Sequence, residues 1–210
     1  MNGFPRTLLA AAVLAIGGCA ATATTPTRPQ EAAPFNILGR EDAPVAMIEF
    51  TDLQCPYCAR FAAQTFPRLR REYIESGRMR FASRDLPLPF HPFAMPAAVA
   101  SRCAGEQGRF WEYREALFAA QDRLGLEPYT EIAQALGLDV ARLDACRDDG
   151  RTSEAVRADA ELARSYGIAT TPTFVIGRVV DGEFQGELVS GAQPYEVFAA
   201  RIEALLEAVR

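Results

Sequence analysis

Residues 45–58 have the sequence VAMIEFTDLQCPYC, and this segment decides the fold of the chain. The apolar, β-rich run Val45–Phe50 precedes two cysteines, and a helical pattern from about Cys58 to Ser76 follows them. Cysteines two residues apart at the start of a helix form either a redox pair or half of a metal site. A closed zinc site needs four ligands, and the chain has one such pair and one histidine, so we favour the redox pair.

The spacing of these cysteines gives them different surroundings. Cys55 is expected at the N-terminus of the helix, where free backbone N–H groups and the helix dipole lower the pKa of a thiol. Pro56 suits the first helical turn, where a missing N–H has no consequence. Cys58 falls one turn further in, with its sulfur more shielded. We therefore predict that Cys55 is the attacking thiol and Cys58 the resolving thiol.

The N-terminal residues have the pattern of a targeting segment. Arg6 precedes an apolar run, Leu8–Ile16, which is shorter than the roughly 20 residues of a spanning helix and matches a signal-peptide core. The run ends at Ala15-Ile16-Gly17-Gly18-Cys19, which resembles the bacterial lipobox. We predict a lipoprotein-type signal peptide over residues 1–18 and lipidation at Cys19. The alternative is an ordinary cleaved signal with an incidental cysteine.

The composition of the residues that follow this predicted signal peptide indicates a tether and one globular domain. Residues 19–34 are mostly Ala, Thr and Pro, which cannot bury a core, and residues 35–210 are expected to form the domain. The net charge is −5 without a basic cluster, so no nucleic-acid partner is expected. The predicted location is the periplasm or cell envelope, with a lipid anchor at Cys19 in a bacterial membrane.

Export makes disulfide pairing of the remaining cysteines more favourable, because disulfides persist outside the cytoplasm. The chain has five cysteines, an odd number. Assigning Cys19 to a lipid leaves the Cys55–Cys58 pair and Cys103 with Cys146. We predict a structural Cys103–Cys146 disulfide. The alternative is that these two thiols are unpaired and behave as small buried hydrophobic groups.

The order of elements is strand, helix, strand, helical block, two strands and a final helix. Strands are predicted at 45–51, 78–83, 173–176 and 188–189, with a turn at Asp181-Gly182. Leu86–Pro92 is too rich in proline for a regular helix. Helical spacing dominates from about 92 to 165 and returns at Val197–Leu206.

Three stretches carry a resemblance to a known family. Glu49–Cys58 resembles the active-site region of DsbA-like thioredoxin-fold proteins, and Tyr166–Phe174 resembles the cis-proline loop of the thioredoxin superfamily. Cys103–Trp111 is similar to the helical signature of the branch that includes the Com1-type bacterial lipoproteins. The resemblance implies an α/β thioredoxin fold with a helical insertion, about 92–165, between the CxxC-bearing βαβ half and the cis-Pro ββα half.

The resemblance also implies roles for individual residues. Pro172 is expected to follow a cis peptide bond, with backbone groups of Thr171 free to pair with an extended substrate; the alternative is a trans turn proline. Glu49 matches the buried acid beneath the active site and is expected to exchange a proton with Cys58; the alternative is a solvent-facing carboxylate. Tyr57 departs from the histidine usual in DsbA oxidases. His91 is a candidate replacement base, or a structural donor in its turn.

These features predict an exported protein disulfide oxidoreductase that uses the Cys55–Cys58 disulfide to oxidise cysteine pairs of secreted or envelope proteins. The resemblance implies no cofactor or metal beyond that disulfide. It implies unfolded or partly folded cysteine-containing clients and a quinone-linked membrane thiol oxidase as partners. The alternatives are a disulfide isomerase or reductase, and a non-enzymatic surface lipoprotein that holds clients.

Overall fold

The computed structural model describes residues 36–180 and 183–208. Its centre is one five-stranded sheet with the order β1-β3-β2-β4-β5. The strands are β1 (Ile37–Leu38), β2 (Val45–Thr51), β3 (Met79–Asp85), β4 (Thr173–Val180) and β5 (Glu183–Ser190). β2 and β3 are parallel, whereas the β1–β3, β2–β4 and β4–β5 pairs are antiparallel. This is the thioredoxin arrangement that the sequence predicts.

β2 lies in the middle of the sheet because both of its faces are apolar. Val45 and Met47 pack with the crossover helix and the C-terminal helix α8 (Tyr195–Glu207). Ile48 and Phe50 face the opposite side, where α7 (Arg151–Ser165) covers the sheet. A continuous apolar run of this kind is typical of a strand that is buried on both faces.

The crossover from β2 to β3 is helical from Pro56 to Ile74 but is not a uniform α-helix. It consists of α1 (Pro56–Arg60), a π-helical turn (Phe61–Thr65), α2 (Phe66–Leu69) and a second π-helical turn (Arg70–Ile74). Pro67 lies just after the first π-helical turn, and its missing N–H and its ring both disrupt α-helical pairing with the preceding turn. The bulge therefore has a local cause in the sequence.

A block of helices lies between β3 and β4. Its members are α3 (Ala94–Gly105), α4 (Phe110–Ala119), a 3₁₀ helix (Gln121–Leu126), α5 (Tyr129–Ala135), α6 (Val140–Asp148) and α7. The apolar core of this block also includes Leu53, Cys55 and Cys58 from the sheet side. The two active-site cysteines therefore lie where the helical block packs on the thioredoxin sheet.

Element boundaries differ from the sequence prediction by a few residues. β4 and β5 are longer than predicted because they pair with each other along their whole length. Asp139 caps α6, with its Oδ1 accepting the N–H of Arg142 at 3.1 Å. The predicted signal peptide and tether, Cys19, and the turn predicted at Asp181-Gly182 lie outside the described residues. Within 36–180 and 183–208, no helix combines the length and apolarity needed to span a membrane.

Candidate active site

Cys55 is the residue from which the first helix begins. Its backbone is extended (φ −74°, ψ 122°), and Pro56 is the first residue of α1. The Cys55 N–H donates to the carbonyl oxygen of Asp52 at 3.0 Å, which closes the turn after β2. Cys55 is 4% exposed, whereas Cys58 has no exposed surface. Both thiols are free, so the structure represents the dithiol state.

The surroundings favour a thiolate at Cys55. A hydrogen bond from the Cys58 thiol is the largest contribution that lowers the pKa of Cys55, which falls to about 5. The Thr171 hydroxyl and the backbone N–H groups of Cys58 and Tyr57 lower it further, against the opposing effect of burial. The backbone donors at the helix N-terminus therefore lower the pKa of Cys55, as the sequence predicts. The hydrogen bond from the Cys58 thiol lowers it by a larger amount.

Cys58 has the opposite tendency. Burial raises its pKa well above the ordinary thiol value, and the Cys55 sulfur and the Glu49 carboxylate raise it further. One helical turn thus separates a thiol that ionises easily from a thiol that resists ionisation. This asymmetry suits one nucleophilic sulfur and one shielded sulfur.

The Thr171–Pro172 peptide bond is cis, and its loop lies against Cys55. The Cys55 Sγ is 3.4 Å from the Thr171 carbonyl oxygen. The Pro172 carbonyl oxygen accepts the N–H of Gly191 at 2.8 Å, which ties the loop to the residue after β5. A groove of about 740 Å³ runs beside this loop, and Tyr57, Arg60, Gln64, Thr170, Thr171 and Gly191 contribute to its lining.

Tyr57 is an aromatic residue in the lining of this groove. Its side chain is exposed (56%), and the Arg60 guanidinium carbon lies 4.9 Å from the centre of its ring. Arg60 also donates to the carbonyl oxygen of Ala192 at 3.4 Å. Aromatic surface and a cation therefore line the space next to Cys55.

Glu49 lies fully buried in β2 beneath the two cysteines. Its Oε2 accepts a hydrogen bond from Arg114 Nη2 at 2.5 Å, and its Oε1 has no hydrogen-bond partner among the residues that the structure describes. Burial raises the pKa of Glu49, while the charge of Arg114 and the Thr51 hydroxyl oppose that rise. A buried carboxyl group with a raised pKa keeps its proton to higher pH than an exposed one and can exchange it with a neighbouring group.

Arg114 and Gln121 were not predicted as site residues. Arg114 comes from α4 and carries the charge that faces Glu49. Gln121 Nε2 donates to the carbonyl oxygens of Leu53 (2.9 Å) and Cys55 (3.0 Å), so the helical block holds the active-site turn directly. Both contacts join residues more than 60 positions apart, and no local pattern in the sequence marks them.

His91 lies behind the active-site turn. Its Nδ1 is 2.8 Å from Oδ2 of the buried Asp52, so its ring pairs with the residue three positions before Cys55. The sequence singled out this histidine, but it did not indicate Asp52 as its partner.

The second pair of cysteines forms a disulfide. Cys103 of α3 and Cys146 of α6 are bonded, with their Cα atoms 5.7 Å apart. The Thr152 hydroxyl lies 3.4 Å from the Cys146 sulfur. The bond lies within the core of the helical block, so its position is that of a structural crosslink.

Comparisons with known proteins agree with this arrangement. The family described as Thioredoxin matches residues 33–203. The crystal structure of α-DsbA1 from Wolbachia pipientis is 27% identical in sequence and superposes with a TM-score of 0.72, covering 81% of this chain and 89% of that chain. BdbD from Bacillus subtilis is 26% identical with a TM-score of 0.69, covering 82% and 92%.

Curated relatives include proteins named as Na⁺/H⁺ antiporters. NhaA 3 of Salinispora tropica is 34% identical over 80% of this chain, and NhaA of Herminiimonas arsenicoxydans is 35% identical over 74% of it. The chain spans only about a quarter of the length of these relatives. The similarity therefore concerns one part of each longer protein.

The fold and the geometry of the two cysteines are those of thiol–disulfide oxidoreductases. The chain belongs to the thioredoxin family and, within it, to the DsbA-like proteins.

Proposed function

We propose that the protein is an exported oxidase that introduces disulfides into secreted or envelope proteins. The observation that carries this proposal is the asymmetry between Cys55, whose pKa is lowered to about 5, and the buried Cys58. A low-pKa thiol is a good leaving group, so a mixed disulfide at Cys55 resolves readily toward oxidised client and reduced enzyme.

The reaction begins with the Cys55–Cys58 disulfide. A client thiolate attacks the Cys55 sulfur, a new client–Cys55 bond forms, and the Cys55–Cys58 bond breaks with its electron pair on Cys58. The second client thiolate then attacks the client sulfur of the mixed disulfide and releases Cys55 as a thiolate. The client loses two electrons to form its disulfide, and the enzyme gains them as a dithiol.

Glu49 is proposed to supply the proton that Cys58 takes up when it leaves. Burial raises the pKa of both groups, so a shared proton is favoured over two neighbouring negative charges. Arg114 then compensates the Glu49 carboxylate after the proton has moved. The proton from Glu49 neutralises the leaving Cys58 sulfur, and Arg114 compensates the negative charge that remains on Glu49. The buried sulfur therefore needs no proton from bulk water.

Clients are proposed to bind as extended segments along the cis-proline loop. The Thr171 backbone lies within 3.4 Å of the Cys55 sulfur, and the adjoining groove is open. Main-chain pairing at this point would place a client cysteine beside Cys55 and tolerate many sequences. The clients would be unfolded or partly folded exported proteins that carry cysteines.

Repeated turnover needs an electron acceptor for the reduced Cys55–Cys58 pair. We propose a quinone-linked membrane thiol oxidase for this step, with no cofactor held by the protein itself. An anchor at Cys19 would keep the enzyme beside such a partner in the periplasm or cell envelope.

Trapping tests the roles of the two sulfurs. A Cys58→Ala protein should accumulate mixed disulfides with cysteine-containing clients, because no second thiol can release them. Cys55→Ala should accumulate none, and non-reducing gels followed by mass spectrometry compare the two. Equal trapping by both variants would contradict the assignment.

The direction of the reaction has an alternative, isomerase or reductase activity. Oxidative refolding of a reduced client and reduction of insulin, measured side by side with the same enzyme, separate the two. An oxidase should accelerate refolding strongly and insulin reduction weakly. The reverse ranking would favour the reductase, and a measured reduction potential near the thioredoxin value of about −270 mV would agree with it.

A membrane anchor at Cys19 predicts a specific change in fractionation. Cys19→Ser should move the protein from the membrane fraction to the soluble periplasmic fraction of its bacterial host. Wild-type protein with intact Cys19 is the control. An unchanged distribution would contradict lipidation and favour an ordinary signal peptide.

A second candidate client is a membrane transporter. The curated relatives named as Na⁺/H⁺ antiporters contain a stretch that is 34–35% identical to most of this chain. That likeness supports a related role in which the thiol pair acts on cysteines of a membrane protein beside it. Identification of the clients trapped by Cys58→Ala distinguishes transporters from secreted proteins.

A further inference from the structure

The groove beside the cis-proline loop contains one charged side chain, that of Arg60. The other residues that line the groove carry aromatic, hydroxyl, amide or small apolar side chains, and none of them is Asp, Glu, Lys, Arg or His. The chain as a whole has a net charge of −5. The groove therefore presents a positive charge on a protein whose net charge is negative.

Two contacts hold the Arg60 guanidinium in place. Its central carbon lies 4.9 Å from the centre of the Tyr57 ring, which is a cation–π distance, and its Nη2 donates to the carbonyl oxygen of Ala192 at 3.4 Å. Tyr57 lies in α1, whereas Ala192 follows β5. A long side chain that is already restrained loses less conformational entropy when an anion binds to it.

Arg60 retains the capacity to bind a carboxylate. The bond to Ala192 uses one of the five N–H donors of its guanidinium, and no ion pair of Arg60 is present among the residues that the structure describes. Arg68, the next basic residue along the crossover, is instead paired with Glu72 at 2.8 Å and with Glu196 at 3.4 Å. Because a guanidinium can bind a carboxylate through two parallel hydrogen bonds, Arg60 is suited to an acidic group of a bound molecule.

The position of Arg60 relative to Cys55 defines which part of a client it can reach. Arg60 is five residues after Cys55, which corresponds to about 7.5 Å along the axis of an α-helix. Exposed charges interact over a Debye length of about 8 Å at physiological ionic strength. An extended client rises by about 3.3 Å per residue, so this distance corresponds to about two or three client residues.

We propose that Arg60 is a specificity-determining residue that favours clients with an acidic side chain two or three positions from the cysteine that attacks Cys55. Lys or Arg at the same client position is disfavoured by the same charge. This inference rests on the proposed function and adds to it a chemical class of client. Main-chain pairing at the cis-proline loop tolerates many sequences, and Arg60 ranks them by charge.

Oxidation of synthetic peptides by the oxidised protein tests the inference. The reduced peptides carry two cysteines and differ only by Glu, Gln or Lys two positions from the first cysteine, placed on either side so that both chain directions are covered. Rates are followed by acid quenching, alkylation and mass spectrometry. Each rate is divided by the rate of the same peptide with bis(2-hydroxyethyl) disulfide, which removes the effect of the added charge on the peptide thiol itself.

The normalised rate for the Glu peptide should exceed that for the Lys peptide by about fivefold in the wild type, since one attraction and one repulsion each contribute as an exposed ion pair does. Arg60→Gln should bring this ratio to about one, and Arg60→Glu should invert it. In about 1 M salt the wild-type ratio should also approach one, because the Debye length falls to about 3 Å. The salt series needs no variant, so it tests the inference even where a substitution impairs folding.

Arg71→Gln is the matched control. It removes one positive charge from the same crossover, but Arg71 is exposed, lies 3.7 Å from Glu72 and is not part of the groove. This variant should keep the wild-type ratio. A wild-type ratio of one at low salt, or a ratio that Arg60→Gln leaves unchanged, would overturn the inference while the proposed function stands. Failure of the wild type to oxidise any of the peptides would instead overturn the proposed function.

Discussion

The two active-site sulfurs lie one helical turn apart, yet their surroundings favour opposite protonation states. Cys55 receives hydrogen bonds at the start of α1, while Cys58 has no exposed surface and faces the charge of Glu49. Glu49 is in turn paired with Arg114 from the helical block. The reactivity of each group therefore depends on one or two specific neighbours, and single substitutions can separate their contributions.

Arg114→Leu should destabilise the protein by about 3–5 kcal/mol at pH 7, because it leaves a buried carboxylate without its ion-pair partner. Burial already raises the pKa of Glu49, and loss of Arg114 raises it further. Because the pKa of Glu49 is higher in the folded than in the unfolded protein, the loss of unfolding free energy is small below the unfolded value, about 4.3, and grows as the pH rises. Urea unfolding of the reduced protein at pH 4 and pH 7 measures the size of this loss and its dependence on pH.

Arg109→Leu is the matched control, because Arg109 forms an exposed ion pair with Glu112 at the start of α4. It should change the unfolding midpoint little at either pH, as exposed pairs generally do. A pH-independent loss in Arg114→Leu would mean that packing, rather than charge compensation, explains its effect.

At the scale of elements, the helical block is joined to the sheet by buried polar contacts as well as by apolar packing. Arg102 of α3 donates to Asp85 of β3 at 2.5 Å and also pairs with Asp159 of α7. Asp159 accepts the backbone N–H of Asp85 at 3.1 Å. These bonds hold three elements in one arrangement, and the Cys103–Cys146 disulfide joins α3 to α6 on the far side.

The Cys103–Cys146 disulfide should remain intact in mild reductant that already reduces Cys55–Cys58. It joins residues 43 positions apart, which contributes up to about 4 kcal/mol in the chain-entropy treatment, and Cys103 is almost fully buried. Differential alkylation with mass mapping follows the two bonds in one titration. Free Cys103 and Cys146 in protein exported by its host would contradict the prediction.

At the scale of the whole molecule, the redox state of the active site is coupled to stability. The Cys55 thiolate is stabilised only in the reduced, folded protein, and its pKa of about 5 lies below the unfolded value of about 8.5. A lowered folded-state pKa gives a contribution that is full above the unfolded value and is lost as the pH falls through about 5. Cys58 has a raised pKa, so its thiol is neutral at pH 7 in both the folded and the unfolded protein. It therefore contributes nothing to the pH-dependent stability at pH 7.

Reduction of Cys55–Cys58 should therefore raise the melting temperature by a few degrees at pH 7. The thiolate contributes about 2–3 kcal/mol there, against about 2 kcal/mol from the short loop that the disulfide closes. By pH 4 the thiolate contribution is lost, and the oxidised form should melt higher. Calorimetry on a Cys103–Cys146-intact protein tests this crossover, and an oxidised form that melts higher at both pH values would contradict it.

Local sequence determined the main features of this protein. The apolar run of β2 predicted a strand, Cys55-Pro56-Tyr57-Cys58 predicted a redox pair at a helix start, and Thr171-Pro172 marked the loop that lies against it. The strand and the redox pair depend on neighbouring residues, so periodicity and spacing are enough to indicate them, whereas the role of Thr171-Pro172 was implied by the resemblance to the thioredoxin superfamily.

Only the tertiary structure decided which distant groups meet at the site. Arg114 compensates Glu49 across 65 positions, Gln121 holds the carbonyl oxygens of Leu53 and Cys55 across 68 and 66, and His91 pairs with Asp52 across 39. Any of the 22 basic side chains could have faced Glu49 on composition alone. Local periodicity contains no information about such pairs, because they arise from the packing of the helical block on the sheet.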